Sequence, residues 1–299
     1  TNNLFKVLDE SISKSKYVSK IHAECISLKK INGIYQIKTN LDKVRSKKII
    51  VCNGAFVNDL VPNILPVYYG VGSALEINDK FSKFGHLPKR TVIRTPNRGS
   101  TCGIHIVPRS SKNYYVGAGS YISKRPIYGH RIGTINYLTN CLEKEFTGKL
   151  PHTTTSFVQG FRPVSIDGKP LIGKLKNDND IFIVSGTKRD GFTYAPIIVQ
   201  HILDNFLNNK KNEKLENIFC DWEPDRKMIS FLDRSSACNS YIDNKISGLI
   251  EHGMITNRNH EKKVLIELKN EANKFHDVII KKFKLDYSFG IHPELLNVL

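Results

Sequence analysis

The stretch Gly160-Phe161-Arg162-Pro163-Val164-Ser165-Ile166-Asp167-Gly168-Lys169-Pro170-Leu171-Ile172-Gly173 is followed, after a polar gap, by Ile181-Phe182-Ile183-Val184-Ser185-Gly186-Thr187-Lys188-Arg189-Asp190-Gly191-Phe192-Thr193-Tyr194-Ala195-Pro196. Asp167-Gly168 is a turn dipeptide, because glycine takes a positive φ without steric cost. Ile181 to Val184 is a continuous apolar run of buried-strand length, and an apolar helix begins near Tyr194. A strand that runs through a glycine-containing loop into a helix aims backbone N–H groups at whatever covers the helix N-terminus. The same pattern serves equally as a plain strand-to-helix connection. Arg162 can hold a carboxylate through two parallel hydrogen bonds, which fixes orientation as well as position. By residue type alone it reads as readily as a surface arginine beside a turn.

The order and spacing of these pieces resemble the C-terminal signature of the FAD-dependent amine and amino-acid oxidases, the D-amino-acid oxidase, glycine oxidase and sarcosine oxidase group. The family pattern is Gly-aromatic/Leu-Arg-Pro, Asp-Gly-x-Pro-x-Ile-Gly, a strand, and Gly-x-x-x-x-Gly before a helix. The resemblance implies a mixed α/β chain: part of a Rossmann-like FAD-binding domain (residues 1–60 and 150–225), an antiparallel-sheet substrate domain (61–149) and a helical C-terminal extension (226–299). It implies Arg162 as the catalytic-site anchor for the substrate carboxylate. Gly186, Arg189, Asp190, Gly191, Phe192 and Thr193 match the loop whose backbone meets the flavin ring.

The opening of the chain fits the same frame. Residues 3–14 read as an amphipathic helix, and Ile21 to Leu28 alternates as a strand. Asn32-Gly33 signals a type I′ hairpin turn, which needs positive φ at both central residues. Lys48 to Ala55 reads as a buried strand ending in Asn53-Gly54-Ala55. By resemblance this tripeptide stands for the family's Ala-Gly-Ala beside the cofactor, with Asn53 as the departure, and the strand near Cys25 and Ile26 runs past the adenine.

Between Leu65 and Gly119, four strand-like runs separated by turn residues predict a mostly antiparallel sheet, and His130 to Phe146 reads as a helix. In the family this sheet roofs the flavin, which makes Arg94 and Arg109 candidates for the substrate side. Structural ion pairs account for them equally well. Gly70-Val71-Gly72 is not a dinucleotide loop, because the third glycine is missing and the following residues alternate as a strand.

Charge and cysteines bound the remaining classes. The 299 residues carry a formal net charge of +17. Such a charge can steer nucleic acid or an anionic surface, yet the lysines are spread along the whole chain and no helix-turn-helix, zinc finger or aromatic RNA-binding signature is present. The six cysteines have no paired short spacing, which favours reduced thiols in a cytoplasmic protein and gives no zinc site. No run approaches the ~18 apolar residues that span a bilayer, so no membrane role is expected, and no secretory leader opens the chain. After Arg226, Leu265, Leu268, Ala272, Phe275 and Ile279 recur at helical spacing, as a stripe packed on the main body or offered to a partner.

The family's chain begins with a strand, a Gly-x-Gly-x-x-Gly turn and a helix that together hold the pyrophosphate. These 299 residues contain no such element, so a fragment is expected, completed by a missing N-terminal FAD-binding segment. The expected function is oxidation of a C–N bond of an amino acid or related amine, with hydride passing to FAD. The alternatives are a degenerate, non-catalytic subunit that binds a partner, and a basic nucleic-acid-binding protein.

Overall fold

The structure, a computed structural model, describes residues 2–78, 91–96, 103–110, 113–146, 154–208, 210–251, 254–255, 257–296 and 298. The chain forms two compact units, Thr1–Ile49 with Asp59–Val61, and Ile50–Asn58 with Pro62–Leu299.

The first unit contains helix α1 (Asn2–Ser13) and an antiparallel sheet of β1 (Cys25–Ile31), β2 (Ile34–Thr39) and β3 (Lys43–Ser46) in that order. Asn32 and Gly33 both take positive φ, 49° and 76°, as the hairpin signal requires. That turn pairs Ile31 with Ile34 and so sets the strand. β1 starts at Cys25 and runs on to Ile31, rather than covering Ile21 to Leu28. The apolar residues Leu4, Phe5, Val7 and Leu8 of α1 are exposed.

The second unit is built on two sheets. The larger has the order β6 (Ile93–Arg94), β7 (His105–Pro108), β8 (Asn113–Ser123), β5 (Val67–Asn78), β9 (Thr154–Ser165), with every neighbour antiparallel. Helix α2 (Val57–Leu60) precedes β5, and Asn58 Oδ1 accepts the Val67 N–H at 2.7 Å. Period-2 alternation sends Leu75, Ile77, Ile106, Tyr114 and Val116 to one face. There they meet Leu138, Cys141 and Leu142 of α3 (Ile132–Phe146) in a closed apolar cluster. Residues 150–225, read from the sequence as cofactor domain, include β9, which pairs residue for residue with β5 along its whole length.

The smaller sheet has the order β10 (Leu171–Leu175), β11 (Asp178–Ser185), β4 (Ile49–Val51), so β4 is an edge strand among the described residues. β11 leads into α4 (Gly191–His201), a π-helical turn (Ile202–Leu207) and α5 (Glu213–Phe219). α4 begins three residues before the predicted Tyr194, because Tyr194 N–H already donates to Asp190 O at 3.0 Å.

The tail forms α6 (Arg234–Glu251), α7 (Arg258–Phe283) and α8 (Pro293–Leu296). Asn257 caps α7 by accepting the His260 N–H at 2.9 Å, and Lys284 ends it in the left-handed region. The α7 stripe packs on the body: Leu268, Ala272 and Ile279 share one apolar cluster with Tyr68 of β5 and with Val164 and Ile166 at the end of β9, while Leu265 and Phe275 pack against it. No described helix is long and apolar enough to cross a membrane.

Candidate active site

Strand register builds the site. The face of the large sheet opposite α3 carries, on directly opposed pairs, Arg94 with His105, His105 with Gly117, Gly72 with Gly160 and Gly70 with Arg162. Gly70, Gly72, Gly117 and Gly160 leave bare positions on three strands of this face, between Ala74 and Val158 on one side and Ser120 and Ile122 on the other. The neighbouring groups lie flat in that space. A Cβ on Gly72 would stand 3.1 Å from Arg162 Nη2, and one on Gly117 would stand 3.2 Å from His105 Nε2. Gly70 and Gly72, which the sequence reading treated only as strand, thus form the floor under Arg162. His105, which the sequence offers only as half of a possible metal-ligand pair with Cys102, stacks on Tyr115 with ring centroids 5.9 Å apart.

Charge converges here from three elements. Burial, and then Arg94, Arg162 and Arg189, hold the His105 imidazole below its ordinary pKa, so its neutral form is favoured. Arg109 stands apart from that set. It pairs with Glu76 at 2.8 Å and covers the Tyr115 ring at 5.1 Å, and Glu76 is the one carboxylate among the described strand residues of this face.

The loop from β11 to α4 is tied to the Arg162 strand. Lys188, at φ 48°, donates its N–H to Pro163 O at 3.0 Å. Gly186 turns the chain at φ 68°, and a Cβ there would lie 3.0 Å from Leu171 N, so only glycine fits. Asp190 stands at the N-cap of α4, and its side chain makes no capping hydrogen bond. Arg189, Asp190, Phe192 and Thr193 are exposed, and Gly191 is half-buried.

The turn Asn53-Gly54-Ala55 reaches the same loop, since Ser185 Oγ donates to Gly54 O at 2.8 Å. Asn53 Nδ2 donates to Phe56 O at 2.8 Å, while its Oδ1 is buried and accepts nothing. An orphaned buried acceptor of this kind suits a ligand N–H or O–H. Ala55 packs instead in a small core with Tyr69 and Val71. A separate cavity of about 330 Å³ beside β10 and α5 is lined by Lys174, His201, Asn205 and Phe219 among others, and none of the predicted site residues lines it.

Asp167 is more than a turn residue. Its fully buried carboxylate accepts Arg226 Nη2 at 2.8 and 2.9 Å, Arg226 Nε at 3.2 Å, Lys169 N at 3.1 Å and Ile229 N at 3.2 Å. This junction fixes the end of β9, and hence Arg162, against the segment that opens the tail. Nearby, Lys188 Nζ reaches Glu294 Oε2 at 3.3 Å, so α8 touches the loop that follows β11.

The comparisons with known proteins agree with this fold. The bifunctional protein ThiO/ThiG of Nostoc is 26% identical over 181 residues, covering 60% of this chain and 26% of that protein. The glycine oxidase of Bacillus cereus superposes with a TM-score of 0.52 at 19% identity, over 69% of this chain and 53% of its own. The L-proline dehydrogenase of P. horikoshii gives a TM-score of 0.53 at 17% identity, over 68% and 53%. The chain therefore spans about half the length of the solved structures it matches and about a quarter of that curated relative. The family model described as FAD dependent oxidoreductase (DAO) matches residues 19–204, and the chain belongs to that FAD-dependent family.

Proposed function

We propose that this chain supplies the substrate sheet and the flavin-facing loop of an oxidoreductase that oxidises a C–N bond of an amino acid or related amine. The observation that carries the reading is Arg162, laid over Gly72 where the sheet face has no side chain, with the β11–α4 loop fastened beside it through Pro163 O. FAD, when bound, supplies the hydride acceptor. The protein's part is to bind and orient. Arg162 holds the substrate carboxylate by a bidentate, charge-assisted pair, which fixes the Cα–H direction. The glycine floor admits a flat substrate against the sheet. The N-terminus of α4 at Gly191 to Thr193, with Arg189, faces the cofactor's polar edge in this reading, and Asn53 Oδ1 offers an acceptor. His105, held neutral, adds no further positive charge beside the guanidinium groups.

The rest of the cofactor domain is proposed to come from polypeptide outside these 299 residues. Three features support this: the open edge of β4, the exposed Ile50, Phe192 and Val199, and the coverage of the relatives. Leu268, Ala272 and Ile279 of the α7 stripe pack within the chain itself, with Leu265 and Phe275 partly buried against them, which supports the packing reading of the tail over the partner-binding one.

A flavin titration tests the reading, followed by carboxylate binding to the loaded protein. Arg162→Ala is expected to weaken carboxylate affinity about 100-fold, the worth of a charge-assisted bidentate pair. Unchanged affinity would sink the assignment.

A further inference from the structure

The cavity beside β10 and α5, about 330 Å³ in volume, lies at the small end of ligand pockets, which run from about 300 to 1,000 Å³. Neither Arg162 nor the β11–α4 loop lines it. Three side chains on its wall carry chemistry that the apolar core beside it does not need.

The first is His201. Its ring stacks on Phe219 at 4.6 Å and meets Phe182 in a T-shaped contact at 5.4 Å. Asn205 Oδ1 accepts the Asn212 N–H at 2.8 Å, so the Asn205 amide turns its Nδ2 to His201 Nδ1, 2.9 Å away. An amide NH2 only donates, so Nδ1 accepts. In the neutral ring the proton then sits on Nε2. Burial holds the imidazole below its ordinary pKa, which favours that neutral form. Nε2–H is therefore the donor that His201, itself buried, brings to the cavity wall.

The second is Lys174. It stands opposite Phe182 across β10 and β11, on the face that packs Ile172, Phe182 and Phe206 into one apolar cluster. Period-2 alternation calls for an apolar residue there, yet a half-buried lysine occupies the position. The third is Glu216 of α5, also half-buried. After burial, Glu216 and then Lys174 act on the His201 ring, the one raising and the other lowering its pKa. One carboxylate and one ammonium thus converge on one donor. The neighbouring Lys176 is paired with Glu223 at 3.4 Å, whereas neither Lys174 nor Glu216 has an ion-pair partner among the described residues.

We infer that this cavity is a second binding site, for a small zwitterion with the ammonium and carboxylate of a free amino acid. Lys174 and the His201 Nε2–H hold the carboxylate, and Glu216 holds the ammonium. A plain anion would meet Glu216 and a plain cation would meet Lys174, so either charge alone is opposed. The site does not depend on the role proposed for Arg162.

The test is calorimetric titration of the full-length, FAD-loaded protein carrying Arg162→Gln, a change that takes the candidate active site out of the measurement. The probes are glycine, β-alanine and γ-aminobutyrate, which space the two charges differently, against propylamine and propionate. One zwitterion is expected to bind at least about tenfold more tightly than either singly charged probe, the ratio that one charge-assisted contact sustains. Lys174→Gln and Glu216→Gln should each erase that ratio. Lys214→Gln, which removes a charge from an exposed position of α5, should not. Circular dichroism of each variant checks folding.

Three outcomes overturn the inference. One is the absence of any preference for a zwitterion. Another is a preference that survives Lys174→Gln or Glu216→Gln, which would place the ligand elsewhere. The third is a preference lost equally in Lys214→Gln, which would mark it as a general effect of charge. None of these touches Arg162, whose role is read separately from carboxylate affinity in the wild type against Arg162→Gln.

Discussion

Replacing Arg226 with alanine should be among the most damaging single changes outside the apolar core. Arg226 and Asp167 are almost completely enclosed, with side-chain exposures of 6% and 0%. The guanidinium gives Asp167 three hydrogen bonds and also donates to Pro170 O and Glu223 O, each at 3.0 Å. Removing it leaves a carboxylate with no water and no counter-charge, with only the Lys169 and Ile229 amides and the Ser165 hydroxyl as donors. Breaking one side of a buried pair costs about 3–5 kcal/mol. For a unit of this size each kcal/mol moves the midpoint by roughly 2–4 °C, so a loss of ~10 °C is expected.

The sign of the coupling is the sharper test. In the wild type, Asp167→Asn should destabilise by ~2 kcal/mol, since the amide gives up charge-assisted bonds. In the Arg226→Ala background the same change removes a stranded charge, and should be neutral or stabilising. Urea unfolding followed by circular dichroism gives the cycle, and hydrogen exchange at the Lys169 and Ile229 amides gives the local response. Two results would refute the reasoning: an Arg226→Ala cost below about 1 kcal/mol, or equal Asp167→Asn costs in both backgrounds.

Other expectations follow from the same geometry. Gly72→Val puts a branched side chain where a Cβ alone stands 3.1 Å from Arg162 Nη2. Carboxylate affinity should fall about tenfold, measured by titration, with little change in midpoint. Arg109→Ala removes an exposed pair with Glu76 and should shift stability by less than about 1 kcal/mol. The tail should loosen in acid. His276 is fully buried, with Nδ1 on Ala272 O at 2.8 Å and Nε2 accepting Ile291 N at 3.1 Å, so burial lowers its pKa. His292 is pushed down to about 4, first by burial and then by Lys188. Because the unfolded chain takes up these protons first, near pH 6.5, stability is full above that pH and falls as pH drops toward 4. Melting curves across that range check it, and a flat profile would count against the assignment.

Local chemistry explains what was legible in the sequence. The Asn32-Gly33 turn, the strand-like run read from Leu65 to Ile77 and observed as Val67–Asn78, and the α7 stripe each follow from a few consecutive residues. What escaped the reading depends on register between distant segments. Gly72 acquires its meaning only when β9, some ninety residues later, pairs with β5 and lays Arg162 across it. Alone it reads as a weak spot in a strand or a failed cofactor loop. Asp167 has the sequence signature of a turn, and its carboxylate does accept the Lys169 N–H within that turn. Its larger role comes from Arg226, fifty-nine positions away. His105 carried only the signal of a possible metal-ligand pair with Cys102, which fails for want of a second pair at finger spacing. Its importance comes from Arg94, Arg162 and Arg189 arriving from three other elements. The proposed site is thus a property of sheet register, and the family signature Gly160-Phe161-Arg162-Pro163 marks the strand through which that register is set.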